Sequence, residues 1–499
     1  MKNDTESKND TESKNDDGSD ISMSNISTAD ITDFFNPRGI ALVGATAKPG
    51  KPNNQILRYA MQMGFDGTIY PINPTKDEIE GLKCYPDLLA IPGPVDLIIV
   101  SVNPSHCIKI ANDIKTRRES KGDAGAVIVA AAGFKEMGTE EGIRIQKEMI
   151  DLITGCGARL IGPNCQGVVD AYHGVNSTFS VPPDTPKGGL SIFSQSGAFA
   201  TSFLRWAKDL KMVGLNKFVS LGNMADVNFT ELLKFAAEDE KTKVISLYMD
   251  GINDARSMID IASKVTKKKP VVVIKAGKTN MGTNVAYSHT ASIAGNNSIY
   301  DGAFKQAGVI RARSVADFYH TSRCFDKLPL PKGNRVCIMT VVGGPSTICV
   351  DELVLSGEVQ LAHFTDELKV NLSKYLAPSA NIGHPDGYID MTASVTEKMH
   401  SDVLKLLMAD DNIDGIIFMT TPPGFIKDEG LAQAIIEGDN SVPADKRKPL
   451  LSVLLAGSAV STCRRILEEN GLPTFEYPDD AAHVMVNMVR YHNYLNQAE

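Results

Sequence analysis

Short aliphatic runs alternate with longer segments of mixed polarity along most of the chain. Residues 95–102, 124–132 and 270–274 are almost wholly aliphatic. Continuous runs of this length predict parallel strands buried on both faces, whereas an exposed sheet face would impose strict alternation. Further strands are predicted at 39–44, 67–74, 159–162, 189–193, 244–251, 334–342, 415–420 and 450–454. The stretches 53–64, 105–118, 139–155, 198–210, 345–355 and 461–470 predict helices, and a last helix follows Pro478. Strand and helix in succession imply an α/β protein, with parallel sheets covered by helices on both faces.

At 499 residues the chain is too long for one core and predicts about three domains. The expected division is a low-complexity tail at 1–29, then domains at 30–185, 186–330 and 331–499. The tail repeats Lys-Asn-Asp-Thr-Glu-Ser at 2–7 and 8–13 and has no apolar periodicity. It cannot bury a core and is read as disordered. It carries no apolar signal segment, and its acidity argues against a transit peptide. A cytoplasmic location is therefore expected. The net charge of −9 argues against a nucleic-acid binder, which would present a basic face. No apolar run approaches the roughly 20 residues of a membrane span. The eight cysteines are scattered without a Cys-x-x-Cys pair, so a zinc site is not expected and buried free thiols are.

Candidate chemistry falls at the carboxyl ends of strands, where doubly wound sheets bind ligands. The first turn carries Gly44, Ala45, Thr46, Ala47, Lys48, Pro49 and Lys51 before a helix. It is not Gly-x-Gly-x-x-Gly, and by itself it also reads as a plain strand–helix connection. Asn73 and Lys76 end the second strand, Asn103 the third, and Ala131, Ala132 and Gly133 the fourth. Gly162-Pro-Asn-Cys-Gln-Gly167 stops a strand at Pro163 and leaves the Asn164 amide for ligand or backbone. Ser194, Gln195, Ser196 and Gly197 form a small-residue turn at a helix N-terminus, suited both to capping and to holding a phosphate. Asp250 ends another strand, either as part of a site or as the cap of the next helix.

After the strand at 270–274, residues 275–295 read as a loop spaced by Gly277, Gly282 and Gly295, with one histidine near its far end. An imidazole titrates near neutral pH and is a competent nucleophile toward phosphorus. By residue type alone, His289 is either that or a satisfied polar side chain.

The sequence Ser288-His-Thr-Ala-Ser-Ile-Ala-Gly295, preceded by Lys275-Ala-Gly-Lys-Thr279, resembles the phosphohistidine loop of the NDP-forming acyl-CoA synthetases. This is the superfamily of succinyl-CoA synthetase, ADP-forming acetyl-CoA synthetase and ATP-citrate lyase. The Gly-Pro-Asn-Cys-x-Gly signature belongs to the same resemblance, which runs from about Phe34 to the C-terminus. It is closest to the alpha subunit of ADP-forming acetate–CoA ligase.

The resemblance implies a Rossmann-like CoA-binding domain followed by two flavodoxin-like doubly wound domains. It implies CoA at residues 44–49, 51, 73, 76, 103, 131–133 and 164. It makes His289 the phosphoryl carrier, Asp250 its carboxylate partner, and Ser194–Gly197 the helix end that faces it. Members usually carry Glu where Asp250 stands, so this chain is one methylene shorter there. The third domain is expected to serve as scaffold and subunit contact. The chain has neither an ATP-grasp module nor a Gly-x-x-x-x-Gly-Lys-Ser/Thr loop. ATP or ADP, with Mg²⁺, is therefore expected on a separate ATP-grasp beta subunit, in a hetero-oligomer such as α2β2. The substrate is expected to be a small carboxylic acid. Two other readings remain: a succinyl-CoA synthetase alpha-like subunit, which would end after two domains, and a non-catalytic CoA-binding regulator, which would have lost the histidine.

Overall fold

The computed structural model describes residues 28–209, 213–252, 254–290 and 297–497, apart from the side chains of residues 28–30, 209 and 286–290. The tail up to residue 27 lies outside it.

Three sheets follow one another along the chain. The first has five parallel strands in the order Thr68–Ile72, Gly39–Val43, Leu97–Val100, Ala126–Val129, Arg159–Ile161. Both of its faces are buried, and this explains the unbroken aliphatic runs. Ile40, Leu42, Leu97 and Ile99 enter one core; Ala41, Val43, Ile98 and Val100 enter another.

The second sheet runs Ile310–Arg311, Val271–Lys275, Val244–Met249, Lys187–Ser194, Leu215–Ser220, Gly167–Asp170, Val175–Asn176. Its first five strands are parallel and its last two antiparallel. The chain thus joins this sheet at Gly167, before the break expected at 186. The third sheet runs Asn381–Ile382, Tyr388–Asp390, Arg335–Thr340, Gly415–Thr420, Leu450–Leu454, Thr474–Phe475, with Gln360–Leu361 paired to Arg335–Thr340.

The middle sheet shares a core with each neighbour. On one side Phe34 and Phe35 of the opening 3-10 segment Thr28–Phe34 and its next residue join Val219, Phe229 and Leu247, and Phe35 stacks on Phe235 with ring centroids 4.6 Å apart. On the other side, the C-terminal helix Pro478–Gln497 packs between the helices Val315–Lys327 and Gly343–Leu355. Arg323, fully buried, pairs with Glu468 at 2.9 Å across that junction.

One expectation is corrected. The stretch after the strand Val271–Lys275 is not a loop throughout, because residues Asn280–Thr290 are a helix. Gly277, at φ +70°, makes the turn out of the strand. The Thr279 hydroxyl then accepts the N–H of Gly282 at 3.0 Å, capping the helix start. A capping threonine outweighed the weak helix propensity of the glycine.

All eight cysteines are unpaired, and all but Cys156 are buried. No helix among the described residues is long and apolar enough to cross a membrane.

Candidate active site

The first crest lies at the carboxyl ends of the five-stranded sheet. The chain leaves Gly39–Val43 for one neighbour and later returns to the other, so the strand order reverses there and opens a crevice. Gly44 turns the chain at φ +90°, and a Cβ on it would lie 2.6 Å from the Ser101 carbonyl oxygen. This close approach requires glycine. Asn53 donates to the Gly44 carbonyl, Asn54 to that of Thr46 at 2.9 Å, and Asn73 to that of Ala45 at 2.9 Å. The turn is thus held from behind by side-chain amides.

Ala47, Lys48, Pro49 and Lys51 are exposed on the turn's outer side, and Thr46 is half-buried. The helix Pro52–Gln62 starts at Lys51 without a side-chain cap. Pro52 has no N–H and the Asn54 and Gln55 N–H groups bond the Lys51 carbonyl at 3.1 Å, so the Asn53 N–H and two nearby ammonium groups are what this start offers to the phosphates of CoA. Lys76 is exposed beside this turn. Asn103 is exposed as well, with its carboxamide oxygen capping the turn Pro104–His106.

Ala131, Ala132 and Gly133 lie in the turn just beyond the strand Ala126–Val129, where the Glu136 carboxylate accepts the N–H of Gly133 at 2.6 Å and of Phe134 at 3.1 Å. Asn223 from the second sheet donates to the same carboxylate at 2.6 Å. Burial opposes charge on Glu136, but these hydrogen bonds outweigh it and hold the carboxyl below its ordinary range. The signature around Asn164 forms the joint between the first two units. The carbonyls of Leu160, Gly162 and Pro163 accept N–H groups of Val227, Ala225 and Asn223, and Asn164 itself sits at φ +57°. Its side-chain amide lies 3.4 Å from the Asn223 carboxamide oxygen.

The second crest is built from three adjacent strands. Their register sets Ser194 beside Tyr248 and Met249 beside Lys275, so the residues just beyond must meet. Gln195 Oε1 accepts the N–H of Asp250 at 2.6 Å and of Gly251 at 3.1 Å. Ser194 Oγ donates to the Ser196 carbonyl at 2.6 Å, and Ser196 Oγ lies 3.4 Å from the N–H of Phe199 in the first turn of the helix Gly197–Asp209. A Cβ on Gly197 would fall 2.5 Å from Gln166 Cγ.

Asp250 is 1% exposed and hydrogen-bonds the Tyr248 phenol, whose pKa is raised by burial and by that carboxylate. It does not cap the next helix: Asp254 does, accepting the N–H of Ser257 at 3.1 Å. The structure brings Gln195 and Asp250 together, and nothing in the sequence marked Tyr248 as the partner of Asp250, Gln166 as the neighbour of Gly197, or Glu136 and Asn223 as supports of the Gly133 turn. Only the pairing of strands brings these together.

The helix Asn280–Thr290 contains His289 near its end and packs against the turn Lys135–Met137 of the first unit. It therefore spans from the second crest toward the first. The His289 side chain, and residues 291–296 with Gly295, lie outside the described residues.

The chain is similar to known proteins over most of its length. Residues 38–171 match the CoA binding domain and residues 187–325 the succinyl-CoA ligase like flavodoxin domain. The alpha subunit of acetate–CoA ligase [ADP-forming] II from Pyrococcus furiosus is 38% identical over 92% of this chain and 97% of its own length. Acetate–CoA ligase [ADP-forming] I from Archaeoglobus fulgidus is 35% identical over 92% of this chain but only 63% of its own, longer chain. The structure of dinucleotide-forming acetyl-coenzyme A synthetase 1 from Ca. Korarchaeum cryptofilum, in complex with phosphate and ADP, superposes with a TM-score of 0.87 at 32% identity, covering 94% of this chain and 98% of that one. These relatives favour neither the succinyl-CoA synthetase reading nor the regulator. The chain belongs to the family of ADP-forming acetate–CoA ligase alpha subunits.

Proposed function

We propose that this chain is the alpha subunit of an ADP-forming acetate–CoA ligase, interconverting acetyl-CoA, ADP and phosphate with acetate, CoA and ATP. The observation that carries the reading is the 38% identity to the Pyrococcus furiosus alpha subunit over nearly that subunit's whole length. The two crests and the helix between them support it in structural terms. CoA lies on the first crest, with Lys48 and Lys51 meeting its phosphates and the uncapped helix start beneath them. Phosphate displaces CoA from the acetyl carbonyl, giving acetyl phosphate and the free thiol. His289 attacks the phosphorus, acetate leaves, and the phosphoryl group is carried on the ring to ADP. Asp250 orients that imidazole and stabilises its charged form, and the Ser194–Gly197 helix end faces the phosphoryl oxygens.

The nucleotide and Mg²⁺ belong to an ATP-grasp beta subunit. The Archaeoglobus relative supports this division, since this chain corresponds to 63% of that longer protein. The site is placed in the cytoplasm, and the substrate is a small carboxylic acid. The test is ATP formation from acetyl-CoA, ADP and phosphate by the purified chain with its beta partner. Turnover only when both chains are present is the expected result; turnover by this chain alone, or none with the pair, contradicts the reading.

A further inference from the structure

A buried ammonium stands at the second crest that neither the fold nor the proposed mechanism requires. Lys275 ends the strand Val271–Lys275 and is 2% exposed. Its Nζ donates to the carbonyl of Asp250 at 2.7 Å and to that of Ala276 at 2.6 Å. It also lies 4.9 Å from the centroid of the Tyr300 ring. The peptide groups flanking Asp250 are therefore gripped from two sides: Gln195 takes the N–H groups of Asp250 and Gly251, and Lys275 takes the Asp250 carbonyl. The second carbonyl, that of Ala276, is the root of the segment leading to His289.

We propose that Lys275 is a positioning residue for phosphoryl transfer, fixing the Asp250 backbone and the root of the carrier segment together while placing a positive charge beside the carboxylate. This deepens the phosphoryl-carrier reading and rests on it. A methyl-terminated side chain of similar length could fill the space without either hydrogen bond. A lysine stands here although its charge is costly to bury.

The groups facing the ammonium are Asp250 from the neighbouring strand end, Arg311 from the strand Ile310–Arg311 and Tyr300 from the helix Asn297–Gln306. Burial lowers its pKa to about 8 from 10.5, with Asp250 opposing the shift and Arg311 adding to it. A folded value below the unfolded one means the charge costs stability at neutral pH, and this cost fades as pH rises through about 8 toward 10.5. Replacement by methionine therefore removes a cost as well as two hydrogen bonds.

The test is single-turnover phosphorylation of the complete alpha–beta complex by labelled ATP and Mg²⁺, from pH 6 to 9.5. The wild-type rate is expected to fall as pH rises through about 8, with Lys275 losing its proton. Lys275→Met is expected to be at least tenfold slower at pH 7 and to lack that fall. Lys275→Arg is expected to retain the rate and to stay flat at high pH, because a guanidinium does not titrate there. Should the methionine variant misfold, the arginine profile decides. A methionine variant within twofold of wild type, or an arginine variant whose rate still falls near pH 8, overturns the proposal. Absence of any label on His289 in the wild type would instead overturn the carrier reading beneath it.

Discussion

The first and second crests share a strand–turn–helix geometry but differ in exposure and charge. At the first, the turn after Gly39–Val43 exposes Lys48 and Lys51, and the polar side chains that shape it, Asn53, Asn54 and Asn73, stand behind it. At the second, Gln195, Asp250 and Lys275 are each 2% exposed or less, and the Gln195 and Lys275 side chains both bond the Asp250 backbone. An open, positively charged turn suits a polyanion that binds and leaves. A dry, interlocked crest suits a phosphoryl group that must be kept from water, since polar contacts strengthen where solvent is excluded. A shared strand–turn–helix geometry thus leaves function to the exposure and charge of a few turn residues.

Three variants separate the crests. The largest effect is expected from Asp250→Asn, which keeps a hydrogen-bond acceptor but removes the charge. Phosphorylation should slow roughly tenfold to a hundredfold, less than the about 10⁴ seen when a serine protease loses its orienting aspartate. CoA binding to the first crest should be unchanged. Rapid-quench labelling checks the first outcome and calorimetry the second; a normal labelling rate would make Asp250 a bystander. Gly197→Ala comes next. Its new Cβ must push against Gln166, 2.5 Å away, and shift the helix start. A loss of about tenfold in labelling is expected, of the size that small misplacements produce in reacting groups. Here too the CoA dissociation constant is the control.

The double variant Lys48→Ala/Lys51→Ala should do the reverse. CoA affinity should fall about fivefold to tenfold, as expected for two exposed charge-assisted contacts, and should depend less steeply on salt. Single-turnover labelling from ATP should stay at the wild-type rate. If affinity and its salt dependence are both unaltered, the first turn is a strand–helix connection and the phosphates of CoA lie elsewhere.

The strands were legible because both sheet faces are buried. Aliphatic runs such as 95–102 allow few other readings, and the observed strand Leu97–Val100 lies within that run. The Ser194–Gly197 turn and Asp250 were legible as strand ends, which is where the structure has them. Two features were hidden for physical reasons. The helix Asn280–Thr290 depends on one capping threonine, and its glycine hides the helical pattern. Asp250 reads in the sequence either as a site carboxylate or as a cap, and in the structure Asp254 caps the helix Ala255–Val265 instead. Lys275 reads in the sequence as the first residue of the loop after the strand at 270–274, whereas the structure makes it the last residue of the strand Val271–Lys275. Only the register with Val244–Met249 reveals that its ammonium reaches the Asp250 carbonyl. Long-range pairings of this kind leave no local mark in a single sequence.

The central claim is that His289 carries the phosphoryl group between the two crests. The most direct measurement is incubation of the complete complex with labelled ATP and Mg²⁺, followed by acid and base treatment of the labelled chain. One acid-labile, base-stable label is expected in the wild type, discharged by ADP or by acetate with CoA. Neither label nor turnover is expected in His289→Ala, with CoA affinity intact. A label of the same stability that persists in His289→Ala would contradict the claim.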